Sequence, residues 1–204
     1  LAAHLRFQDK ARSLPGMVTP LLIAGVPALL VMRQPDLGSA LVFVPVLFAM
    51  CFAAGVPLRT LITVALLGAV AAGALSLFLH DYQRARIDAW WQHFAWTAGA
   101  ENTSEVRSVI RGAGYQPWQA LIAIGSGGVS GFGMAQGPQN RYGFLPYRFD
   151  DYIFAVVAEE TGLFGACLLL GLYGLLVFGL LVIAMRTRER FGRLLVVGVA
   201  AYFA

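Results

Sequence analysis

The chain has 204 residues, of which 58% are hydrophobic and 13% charged, and its mean hydropathy is +0.69. Soluble domains carry about 25% charged residues, so the composition excludes an ordinary soluble globule and predicts an integral membrane protein. A net charge of +4 with a pI near 9.4 fits cytoplasmic loops that collect Lys and Arg, and two lone cysteines, Cys51 and Cys167, argue against a disulfide framework.

About 20 helical residues cross a hydrocarbon core, and the uncharged runs supply candidate spans in chain order. The first covers about 17–33, with a short central run that Pro20 and Pro27 are expected to kink. The second covers 38–57, the third 60–79 and the fourth 160–185. Residues 193–204 open a fifth that the chain does not finish. The expected fold is all-α, a polytopic transmembrane helical bundle, and the chain reads as a fragment of a larger membrane protein.

Orientation follows from the short basic loops. Arg6, Lys10 and Arg12 precede the first span, Arg59 separates the second and third, and Arg186, Arg188, Arg190 and Arg193 follow the fourth. The positive-inside rule puts these clusters in the cytoplasm. The Gln34–Gly38 turn and a connection over about 80–151 then face outside. Loops beyond about 12–15 residues are usually functional or disordered. This one opens with Trp90, Trp91 and Trp96, residues that anchor at a membrane interface. Thr97–Arg111 is polar and expected to be mobile. Gly112–Asn140 is uncharged and has eight glycines, which suits a re-entrant or surface-lying segment covered by protein or a water-filled cavity.

The stretch Phe144–Gly165, FLPYRFDDYIFAVVAEETGLFG, sets four carboxylates beside and inside an apolar run. A charge near a bilayer centre costs about 2.5–3.5 kcal/mol on insertion scales, so this is where function is expected. Two readings of Asp150 and Asp151 stay open. They cap a helix and favour its positive end, contributing about 0.3–1 kcal/mol, or one of them is a general base at the outer interface. Glu159 and Glu160 follow about two turns later, as solvated interface charges or partners for outer arginines, and Glu159, deeper than Asp151 in this reading, could instead shape a polar cavity. Arg84, Arg86, Arg107, Arg111, Arg141 and Arg148 lie in the outer region, matched by as many acids. They either form salt bridges or hold a phosphate through bidentate bonds. The run GSGGVSGFG at Gly125–Gly133 lacks a Walker lysine and a flanking strand, so close helix or lipid approach explains its small residues better than nucleotide binding does.

Taken together, these segments resemble the SEDS family of shape, elongation, division and sporulation proteins. QPDLGSA at Gln34–Ala40, YQRARI at Tyr82–Ile87, GYQPWQALIAIGSGG at Gly114–Gly128 and the FLPYRFDDYIFAVVAEETGLFG stretch match its blocks in order. They are similar to its rod-shape members more than to its division members. Tyr147, Phe149 and Phe132 stand where the pattern has Glu, His and Lys, and GPQ at Gly137–Gln139 replaces GTQ.

The resemblance implies a peptidoglycan glycosyltransferase that polymerises lipid II into β-1,4 strands, with its site facing outside the bacterial cytoplasmic membrane. It places the family's essential aspartate on Asp151 as catalytic base. Arg84, Arg86, Arg141, Arg148 and Glu159 are the expected substrate-binding residues. Lipid II, a class B penicillin-binding protein transpeptidase and membrane lipids are the expected partners, with no nucleic acid. No cofactor or resident metal is expected, although a divalent cation beside the pyrophosphate stays open. A lipid-linked precursor flippase or transporter, and an inactive scaffold for a transpeptidase, are the rival readings.

Overall fold

The computed structural model describes residues 1–7, 14–34, 37–76, 88, 112, 114–145 and 151–204. Its helices in chain order are α1 (Ala2–Phe7), α2 (Val18–Met32), α3 (Leu37–Ala53), α4 (Leu58–Ser76), α5 (Tyr115–Ser126), α6 (Pro138–Arg141), α7 (Ile153–Arg186) and α8 (Arg190–Phe203). A 3-10 turn, Pro15–Met17, leads into α2. The described residues contain no strand, in keeping with the all-α expectation. The chain forms two compact units, one of residues Leu1–Leu75 with Tyr173–Ala204 and one of Ser76–Leu172.

In the first unit α3 is central: α2 and α8 pack on it, and α1 packs on α8. Leu5, Met17, Leu47, Met50, Cys51, Val56, Leu61 and Leu194 form its buried core. Helix α1 falls inside what reads as a basic loop. Ala2 and Leu5, one turn apart on one face, are buried while Arg6 stays exposed. Both cysteines are free, Cys51 buried and Cys167 exposed.

Several expected boundaries move, each for a local reason. The second span stops at Ala53 instead of 57, because Gly55 takes φ 87° and closes the helix. Val56 N–H donates to the Cys51 oxygen at 3.1 Å and Gly55 N–H to the Phe52 oxygen at 3.0 Å, the paired bonds of a Schellman ending. Val56 is then buried in the core. The third span begins at Leu58 rather than 60, since the Pro57 oxygen accepts the N–H groups of Thr60 and Leu61. The fifth begins at Arg190 rather than 193, capped by the Glu189 carboxylate on the Gly192 N–H. In α2, Pro20 lies in the first turn, where its missing N–H costs nothing, and Pro27 is interior.

Among the described residues, two helices are long and apolar enough to cross a membrane, Pro15–Met32 and α7, and α3 and α4 contain shorter apolar helices. At 1.5 Å per residue, α3 and α4 reach about 26 and 28 Å, close to the ~30 Å hydrocarbon thickness. Beyond Glu160, α7 carries no charge until Arg186, and Leu175 and Phe178 on it are each more than three-fifths exposed. Such a surface is stable only against lipid or other apolar helices.

Candidate functional site

The second unit is organised by a break in α7. Gly162 has φ 67° and ψ −165°, outside any helical region. In an unbroken helix Leu163 and Phe164 would donate to the oxygens of Glu159 and Glu160, four residues back. The glycine-rich segment takes up all four groups instead. Phe132 N–H donates to Glu159 O at 3.1 Å and Gly133 N–H to Glu160 O at 2.9 Å. Leu163 N–H donates to Gly128 O at 2.8 Å and Phe164 N–H to Val129 O at 3.4 Å. A helix break at membrane depth is tolerated where protein satisfies the freed backbone in this way.

Glycine is required at this junction for close approach. A Cβ at Gly131 would collide with the Glu160 carbonyl, and one at Gly127 with the carbonyl of Ala158. The small residues at Gly125–Gly133 thus serve approach to a helix, as their composition suggests. Preceding them, α5 is a 12-residue helix of about 18 Å, too short to span a bilayer. It is the longest helix in the stretch expected to be re-entrant or surface-lying.

Glu159 is wholly buried. Its Oε1 accepts the Gln139 N–H at 2.7 Å and its Oε2 the Asn140 N–H at 3.2 Å, so one carboxylate caps the turn that forms α6. Glu160 Oε1 accepts from Asn140 Nδ2 at 2.7 Å. Arginines are the expected partners of these two acids, yet amides hold them among the described residues. Glu159 itself lies inside the protein, closed off from solvent. Burial of such a charge is tolerated only with charge-assisted bonds of this kind. Gly137 makes it possible, because a Cβ there would overlap the Glu159 carboxyl group.

Asp151 is exposed, just before α7. Ala155 and Val156 N–H donate to the Tyr152 oxygen at 3.0 and 3.3 Å, so Tyr152 holds the capping position and Asp151 lies one residue outside it. Its carboxylate has no hydrogen-bond or ion-pair partner among the described residues. Tyr152 packs on a core of Ala120, Ala123, Leu145, Ala155 and Val156, which joins α5 to the start of α7 and anchors the main chain beside Asp151. Arg141 ends α6 with its side chain exposed and its N–H bound to Gly137 O at 2.8 Å. Arg84, Arg86, Arg148 and Asp150 lie outside the described residues.

Sequence reasoning missed the insertion of the glycine segment into the helix break and the inward turn of Glu159. The available signal was Gly162 directly after two acids, with Gly127, Gly128 and Gly131 upstream in an uncharged run.

Comparison with known proteins bears on this architecture as a whole. The chain is 42% identical over 180 residues to the peptidoglycan glycosyltransferase MrdB of Escherichia coli K12, a match covering 87% of this chain and 45% of that protein. It is 37% identical over 214 residues to the probable peptidoglycan glycosyltransferase FtsW of Thiomicrospira cyclica, covering 100% and 50% respectively. The corresponding FtsW of Synechocystis is 38% identical over 172 residues, covering 84% and 40%. The chain thus spans about half the length of the curated relatives it matches. The family described as cell cycle protein, that of FtsW, RodA and SpoVE, matches over residues 1–204, and the chain belongs to it.

Proposed function

We propose that this chain is the part of a peptidoglycan glycosyltransferase that carries its catalytic carboxylate, and that the whole enzyme polymerises lipid II into β-1,4 glycan strands. The observation that carries the reading is Asp151. It is an exposed carboxylate, unpartnered among the described residues, on a main chain anchored through Tyr152 and Leu145. A general base needs that combination of access and fixed position.

In the proposed step Asp151 takes the proton from the acceptor sugar's 4-hydroxyl. The oxygen attacks the anomeric carbon of the donor's N-acetylmuramic acid, and undecaprenyl pyrophosphate leaves with the bonding pair. An α-linked donor and a β-linked product mean inversion, with no covalent enzyme intermediate. Arg141, with Arg84, Arg86 and Arg148, neutralises the charge that develops on the leaving pyrophosphate. The polyprenyl tail suits apolar surfaces such as the groove of about 410 Å³ lined by Leu21, Phe43, Leu47, Val64 and Gly68. Positive-inside charge bias supports a multi-pass arrangement in which Asp151 faces outward. A class B penicillin-binding protein is the partner we propose for cross-linking the strands.

Polymerisation of purified lipid II by the full-length protein tests the reading. Glycan strands from the parent, and none from Asp151→Asn, are the expected result. Transport of labelled lipid without polymer favours a flippase, and neither activity favours a scaffold.

A further inference from the structure

Glu159 is the one buried charged side chain among the described residues, and the chemistry proposed above gives it nothing to do. Its surroundings are nonetheless built around it. The carboxylate accepts two consecutive main-chain N–H groups, of Gln139 and Asn140, and its own main-chain oxygen accepts the Phe132 N–H. One residue therefore ties both the glycine-rich segment and the Gly137–Arg141 turn to the first half of α7. Gly137 leaves room for the carboxyl group only because it has no Cβ. Arg141 closes that turn through its N–H to Gly137 O, and its side chain leaves the turn exposed and without an ion-pair partner among the described residues.

We propose that Glu159 is a positioning residue for Arg141. It fixes the turn from which Arg141 projects, and so sets where the guanidinium stands toward the anionic pyrophosphate of the substrate; this rests on the glycosyl-transfer reading above. Glutamine is a poor substitute despite its matching shape, since its amide turns an NH₂ donor toward one of two N–H donors. The bonds lost are to a charged acceptor, the stronger class.

The test uses the full-length protein in lipid nanodiscs, with Glu159→Gln, Gly137→Ala, Arg141→Ala and the Glu159→Gln/Arg141→Ala double variant. Hydrogen exchange over residues 137–142 should be roughly 10- to 100-fold faster in Glu159→Gln and Gly137→Ala, and near parental in Arg141→Ala. Lipid II turnover should fall by about the same factor in Glu159→Gln. The double variant should be no slower than Arg141→Ala, because without the guanidinium there is nothing left to position. Multiplying losses in the double variant overturn the proposal, as does parental turnover in Glu159→Gln. If Glu159→Gln does not fold, Gly137→Ala displaces the same carboxylate from the other side, and parental exchange and turnover there are equally fatal. A parent that makes no polymer defeats the glycosyl-transfer reading and this role with it. An active parent with unchanged exchange in Glu159→Gln defeats the positioning role alone.

Discussion

Replacing Gly162 with alanine puts a methyl group where the Gly128–Gly133 segment meets the break in α7. At φ 67° and ψ −165° the backbone occupies a region open essentially to glycine alone, and an L-residue there costs about 1–3 kcal/mol. The methyl would also meet the Gly131 nitrogen and the Val129 oxygen, main-chain atoms that cannot swing aside as a side chain can. The segment must then retreat from the Leu163 and Phe164 N–H groups it satisfies, at about 0.5–1.5 kcal/mol for each bond. The total is about 2–6 kcal/mol. A full-length protein about twice as long as this chain shifts by roughly 1 °C per kcal/mol, so the thermal midpoint should fall by about 2–6 °C. Gly171→Ala is the control, because it lies in the same helix with nothing within 4 Å of an added Cβ, and it should be neutral or stabilising by up to about 1 kcal/mol. Thermal unfolding of the full-length protein in nanodiscs, followed by intrinsic fluorescence, reads both. Equal midpoints for the two variants would show that the glycine segment does not hold the break.

Asp151→Asn should lower polymerisation by about 10²–10⁴-fold with an unchanged unfolding midpoint, whereas Asp150→Asn should be mild; equal, small losses from both would favour helix capping, since Asn caps about as well as Asp. In a background without Cys51 and Cys167, an impermeant thiol reagent applied to intact cells should label Thr103→Cys and spare Thr187→Cys, and the reverse pattern would invert the proposed topology. Glu189→Ala should cost about 0.5–2 kcal/mol through loss of the α8 cap. Arg6→Ala should cost less than about 0.5 kcal/mol, because its ion pair with Glu189 is 3.7 Å long with both side chains about half exposed. Comparable midpoint shifts for those two would refute the capping account.

The helical, membrane-embedded class was legible from charge-poor runs, because burial in lipid is decided by composition over a whole turn-rich window and not by any one contact. The helices also lay where those runs lay. What slipped were the ends: Gly55 and Glu189 set boundaries through local hydrogen bonds that a hydropathy pattern does not contain. The candidate base was legible as well, since Asp151 stands in a motif, and the structure added that Tyr152 rather than Asp151 takes the capping position.

Chain order alone determined where carboxylates and glycines fall, and hence that a cluster of acids at the head of a long apolar helix required an explanation. It did not determine their partners. Glu159 and Gln139 are 20 residues apart in the chain, and Phe132, which meets Glu159 across the break, is further away still. Only tertiary structure decided that Glu159 turns inward onto backbone amides, and that Gly127, Gly131 and Gly162 let two main chains touch. The reason is geometric. A residue's type limits what it can bond, but a buried charge goes where donors converge, and that convergence exists only after the segments have folded together.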